Sequence, residues 1–145
     1  MTRDAVSSSP SVGPAPDDVA PDDRCPCRSR RTYAQCCGPY LAGEPAPTAV
    51  ALMRSRFTAY ALRDARHLLR TWHPSSRPEE LDLDGAVAWV GLKVVDATRG
   101  GEGDSTGTVH FRASYRSASD RGVLEEVSTF VRNAGVWFYV AGDTR

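Results

Sequence analysis

All four cysteines of this chain lie in one short stretch, "CPCRSRRTYAQCC", from Cys25 to Cys37. They form two pairs, Cys25/Cys27 and Cys36/Cys37, with eight residues between them. Three kinds of chemistry use such a cluster. A disulfide between Cys36 and Cys37 would be strained, because neighbouring Cα atoms are only about 3.8 Å apart. Pairing across the two ends is sterically allowed, but a cytosolic chain is kept reduced. A redox pair normally reads C-x-x-C at the start of a helix that follows a strand, whereas here the spacings are C-x-C and C-C with no strand before them. The third use is a metal: four thiolates from one turned-back loop supply the closed tetrahedral sulfur shell of structural Zn²⁺. Four thiolates and one Zn²⁺ leave a net charge of about −2. Arg24, Arg28, Arg30 and Arg31 stand beside them to favour the thiolate forms. The residues therefore favour one structural Zn²⁺ on Cys25, Cys27, Cys36 and Cys37, replacing a core that this segment is too small to build.

The 145 residues suffice for one domain with a core plus an appendage. Residues 1–23 are mostly Ser, Pro, Ala and Asp and are expected to be a disordered tail. No apolar run reaches membrane-spanning length and none at the N-terminus resembles a secretory signal, so no membrane contact and a cytoplasmic location are expected. The cysteine segment occupies 24–43, and 44–145 is expected to form an α+β domain. Within it, Thr48 is placed to cap a helix over "AVALMRSRFTAYALRD", with Leu52, Met53, Phe57 and Tyr60 on an apolar face. A second helix over "DARHLLRTW" should end by His73, because Pro74 disfavours helix before it. From Ala88 the apolar period becomes two: "WVGLKVVDAT", "TVHFRASYR", "VLEEVSTFVR" and "VWFYVA" read as four antiparallel strands. "RGGEGDSTG" reads as a mobile loop after the first. The fold class is α+β, with helices packed on one face of a curved four-stranded sheet.

The C-x-C, eight-residue, C-C pattern, with Ser29 and Tyr33 inside it, closely resembles the SEC-C zinc motif known from the tail of the SecA translocase ATPase. That motif usually has Gly after the second cysteine, where this chain has Arg28. If the position needs positive φ, the substitution costs about 1 kcal/mol. Downstream, "LMRSRFTAY", "TWHP", "EVSTF" (Glu126 to Phe130) and "WFYVAG" occur in order. With the cysteine motif they resemble the bacterial YchJ-like family, most of whose members are uncharacterised. The resemblance implies a nuclear-transport-factor-2-like cone for 44–145. Many members carry a second cysteine motif after the cone, which the sequence up to Arg145 does not contain.

Cones of this kind often hold ligands in their mouths. Leu124, Glu126, Ser128 and Phe130 share one strand face, and Arg56 and Tyr60 share a helix face. One reading has Glu126 and His73 exchanging protons while Arg56 or Tyr60 orients a substrate. The plainer reading is a buried Arg56–Glu126 ion pair and a His73 satisfied at its helix end. There is no G-x-S-x-G, Gly-rich phosphate loop or H-E-x-x-H, and a four-sulfur zinc site has no open position for water, so the residues favour a non-catalytic protein. Arg24, Arg28, Arg30 and Arg31 suit docking on an acidic surface, with Tyr33 and Tyr40 as apolar anchors among them, and the resemblance to SEC-C modules implies a protein or the ribosome as the partner. Nucleic acid is a less favoured partner because the rest of the chain is not basic. The sheet is a candidate face for a homodimer, and a small ligand in the cone is the alternative function.

Overall fold

The computed structural model describes residues 19–83 and 87–145. Residues 1–18 of the expected tail lie outside that range. The described end of the tail, Val19–Asp23, is bonded to the cysteine segment. Tyr33 N donates to Asp23 O (2.7 Å), Ala34 N donates to Pro21 O (3.1 Å), and Val19 packs on the core.

After a 3₁₀ turn at Tyr33–Gln35 come α1 (Gly38–Leu41), α2 (Ala49–Leu62), α3 (Ala65–Arg70), β1 (Ala88–Arg99), β2 (Thr106–Arg116), β3 (Arg121–Asn133) and β4 (Val136–Thr144). Thr48 caps α2 as expected, its Oγ1 accepting from Ala51 N at 3.0 Å. The helix ends where Arg63 takes the left-handed conformation (φ 60°), and Asp64 then caps α3 by accepting from His67 N at 3.1 Å. No helix among the described residues is long and apolar enough to cross a membrane.

The strands form one antiparallel sheet in the order β1-β2-β3-β4. Irregularities between Trp89 and Gly91, between Val94 and Asp96, and between Thr129 and Phe130 each disturb the ladder by a residue. Such bulges sharpen twist and bend, which curves the sheet over its helices. The alternation of β2 holds, with Val109, Phe111 and Ala113 buried against the helices. Phe130 and Ser128 from β3 and Trp137 from β4 join them.

Residues 99–107, expected to be a mobile loop, form a pinned turn. Gly100 N donates to Thr106 O (3.0 Å), Asp104 accepts from Gly101 N (3.0 Å), and Arg132 N donates to Ser105 O (2.8 Å). Gly100 O also accepts from Ala49 N (2.9 Å), so the turn caps the start of α2. Backbone partners on two other elements override the flexible composition.

Helix α2 departs from a simple amphipathic reading. Besides its apolar face, it buries Ser55, Arg56, Thr58 and Ala59, which lie on other sides. The sheet, α3 and the cysteine segment each cover part of its surface. That leaves α2 as the axis joining the cysteine segment to the cone.

Candidate metal centre

The eight residues between the cysteine pairs turn the chain back on itself. Arg24 and Thr32 form an antiparallel bridge, and Cys25 N donates to Arg31 O at 2.9 Å. The reversal requires left-handed backbone at Arg28 (φ 64°) and Arg30 (φ 76°). The usual glycine position of the motif is therefore strained in this chain. The Arg28 side chain explains what the arginine contributes: its Nε donates to Val90 O on β1 at 2.9 Å. Gly91 makes room, since a Cβ there would sit 3.3 Å from Arg28 Nε. Arg28 thus fastens the tip of the loop to the sheet. Thr32 then caps the 3₁₀ turn, accepting from Gln35 N at 3.3 Å, and that turn delivers Cys36 and Cys37 beside the first pair.

All four cysteines are buried, and their sulfurs lie within 4.8 Å of one another. Cys27–Cys36 is 3.6 Å and Cys36–Cys37 is 3.8 Å. A tetrahedron of sulfurs about 2.3 Å from a central ion has edges of about 3.8 Å, so this donor set fits a metal with little movement. A disulfide requires an S–S distance near 2.05 Å, and all four thiols are free.

Polar groups surround the sulfurs. Ser29 Oγ donates to Cys36 Sγ (3.1 Å), and Arg31 Nη2 approaches it at 3.9 Å. From α2, Arg54 Nη1 donates to Cys27 Sγ (3.7 Å) and Thr58 Oγ1 to Cys37 Sγ (3.3 Å), with Cys25 Sγ 3.8 Å from the same hydroxyl. Without a cation, four thiols so close cannot all ionise. Cys36 is drawn down to about 6, chiefly by the hydrogen bond from Cys37, while Cys25 is pushed up to about 11, chiefly through its hydrogen bond with Cys27. A dication between the sulfurs removes that conflict.

Arg54 and Thr58 were not singled out from the sequence. The signal was there as a polar pair four residues apart on a helix otherwise rich in apolar residues, but its partner is twenty or more residues away.

The chain matches the family described as "YchJ, middle NTF2-like domain" over residues 48–142, and the SEC-C motif over residues 23–39. It belongs to the YchJ family. A UPF0225 protein of Streptomyces coelicolor is 48% identical over 124 residues, covering 85% of this chain and 97% of that protein. One from Streptomyces avermitilis is 44% identical over 142 residues, covering 97% and 94%. A solution structure of a SEC-C motif containing protein from Rhodopseudomonas palustris superposes with a TM-score of 0.74 at 34% identity, covering 83% of this chain and 98% of that one. A crystal structure of a SEC-C motif containing protein from Psychrobacter arcticus gives 0.70 at 26% identity, covering 83% and 82%. The expected cone and the YchJ resemblance are therefore both correct.

The other residues expected to be functional are placed as follows. Glu126, Ser128, Arg56 and Tyr60 line one cavity between α2 and the sheet. His73 does not line it. Its Nδ1 is bonded to Ser75 (Oγ 2.7 Å), its Nε2 lies 2.9 Å from Asn133 Nδ2, and its ring packs edge-on against Phe138. The proposed Glu126–His73 proton exchange therefore has no geometric basis, because the chain beyond α3 carries His73 to the rim. The Arg56–Glu126 ion pair is also absent among the described residues. Arg56 Nη1 instead donates to Leu68 O (2.8 Å) and Thr71 Oγ1 (2.7 Å), and its guanidinium stacks over Trp72 and Tyr139. Tyr33 is buried in the core rather than available as an anchor.

A buried Ser55–His67 pair was also missed. His67 Nε2 lies 2.9 Å from Ser55 Oγ, as in a nucleophile–base couple. Its Nδ1, however, faces Arg70 Nη2 at 2.8 Å, and an arginine only donates. The ring proton therefore sits on Nε2 and is donated to Ser55, which passes its own to Leu52 O (2.8 Å). No lone pair remains to take a proton from serine, and both side chains are sealed from solvent. The pair braces α3 on α2.

Proposed function

We propose that this chain is a zinc-organised docking module for a protein or ribosomal partner. Zn²⁺ would be held by Cys25, Cys27, Cys36 and Cys37 in a closed shell, giving structural support and no site for activating water. The observation that carries the reading is the group of four buried sulfurs within 4.8 Å, set under four exposed arginines. Three of those arginines also serve the module. Arg24 donates to Arg30 O, Arg28 to Val90 O, and Arg31 approaches Cys36 Sγ. Arg30 has no side-chain bond among the described residues and is the cation most available to a partner. An open groove of about 760 Å³ extends the basic surface along the outer sheet face past Arg28, Lys93, Arg112 and Arg145, with one carboxylate, Glu125. Such a surface complements an acidic partner and steers its approach.

The test is co-sedimentation with purified ribosomes at two salt concentrations. Zinc-loaded protein should pellet with ribosomes at low salt and release as salt rises. The variant Arg30→Glu should stay in the supernatant while keeping its zinc. Equal pelleting of the two proteins would sink the reading.

A further inference from the structure

The cavity between α2 and the sheet is separate from the metal centre. Its volume, about 280 Å³, lies at the small end of ligand pockets. Met53, Phe57, Trp89, Phe111 and Leu124 supply apolar walls. Two opposite charges enter this space and do not meet. Arg56 comes from α2 and is 2% exposed, yet no carboxylate lies within ion-pairing distance of it among the described residues. Its bonds to Leu68 O and Thr71 Oγ1 both use Nη1, and its further side-chain hydrogen bond goes to the Tyr60 hydroxyl, which is neutral. The Trp72 and Tyr139 rings, at 4.9 and 4.3 Å, cover the guanidinium but bring no full negative charge. Glu126 comes from β3, and its one side-chain hydrogen bond is a long one from Ser128 Oγ (3.4 Å).

A buried cation and a carboxylate facing one small cavity lower their energy by pairing. This fold holds them apart. Gly142 on β4 leaves the space in which the Glu126 carboxylate sits, and a Cβ at that position would collide with it. The carboxylate is thereby seated against β4 rather than on Arg56. Tyr60 and Tyr139 also line the cavity and feel both charges. Burial pushes both phenols up, so each remains an O–H able to donate or accept. Burial likewise raises Glu126, with Asp143 adding to it, as for a carboxylate lacking a cationic partner.

We propose that the cone cavity binds a small bipolar molecule, its carboxylate on Arg56, its amine or other cationic donor on Glu126, and a body of about one ring against Phe57, Trp89 and Phe111. Each end of the ligand supplies the counter-charge that the protein withholds from its own residue. Neither end alone does so, which makes the preference for a bipolar ligand the distinguishing property.

The experiment uses the zinc-loaded full chain and three single-ring probes: 4-(aminomethyl)benzoate, benzoate and benzylamine. Affinities are read by titration calorimetry or ligand-observed NMR. The bipolar probe should bind at least ten-fold more tightly than either singly charged one. Glu126→Gln should bring it down to the level of benzoate, with zinc content and near-UV circular dichroism unchanged. Gly142→Ala, which fills the carboxylate's seat, should weaken the bipolar probe by ten-fold or more and provides the reading if Glu126→Gln does not fold. Arg56 is left intact because it also holds α3. Equal affinity for the bipolar probe and benzoate, insensitivity to both substitutions, or no binding of any probe at millimolar concentration would each overturn the proposal.

Discussion

Lowering the pH from 7.5 to 5.5 should destabilise the native chain through His67 in particular. Burial, then the nearby Arg70 and Arg56 charges, push this imidazole from 6.5 down to about 3. Asp64 reaches only its backbone N–H, and Ser55 is neutral, so no group around the ring favours its charge. The sign follows from linkage. Between 6.5 and about 3 the unfolded chain binds a proton at this site and the native chain does not, so stability falls as pH falls through that window. Above the unfolded value the contribution is fully present. At pH 5.5 the unfolded state gains RT ln 11, about 1.4 kcal/mol, and the loss levels off near 5 kcal/mol once the pH passes below the native value. The assay is urea unfolding of zinc-loaded protein at pH 7.5, 6.5 and 5.5, compared with His67→Gln. All other side chains are common to the two proteins, so their effects cancel in the difference. The wild type should lose about 1.4 kcal/mol more than the variant across this range. Parallel pH profiles, or a His67 NMR titration midpoint near 6.5, would refute the reasoning.

Native mass spectrometry should find one zinc with four protons displaced, and Cys36→Ser should lose it and much of the apparent 10–16 kcal/mol that such sites contribute; zinc at full stoichiometry in that variant would show that Cys36 is not a ligand. Arg28→Gly should leave global stability within about 1 kcal/mol, because relief of the φ 64° strain offsets loss of the bond to Val90. Hydrogen exchange around residues 24–32 should nevertheless quicken, and unchanged protection would mean that the tether is idle. Thr58→Val keeps the shape of the side chain and removes the hydroxyl donor to Cys37, so competition with a chelator should show zinc held 10–100-fold more weakly.

What could be read from the sequence was local. The C-x-C, eight-residue, C-C spacing defined the sulfur set because a chain reversal within thirteen residues brings those side chains together whatever the rest of the fold does. Thr48 declared the start of α2 because a cap acts on an amide three residues away. The alternation of β2 identified its buried face because side-chain direction in a strand is set by the backbone.

Buried polar groups behaved differently, since their partners come from distant parts of the chain. Arg56 and Glu126 have matching charges on facing elements, yet the seat made by Gly142 and the carbonyl of Leu68 keep them apart. His73 looked catalytic beside Trp72, but the turn after α3 carries it to the rim, whereas the unremarked His67 is sealed inside. Arg28 could be recognised as a departure from the usual glycine; only the approach of β1 supplied the carbonyl that gives it a use. The sequence by itself determined the four-sulfur cluster, the element order and the inner face of the sheet, because these follow from short-range geometry and periodicity. Which buried charges pair, which hydroxyls face sulfur and which open onto the cavity was decided by tertiary packing, because a desolvated polar group bonds to whatever the fold places within about 3 Å of it.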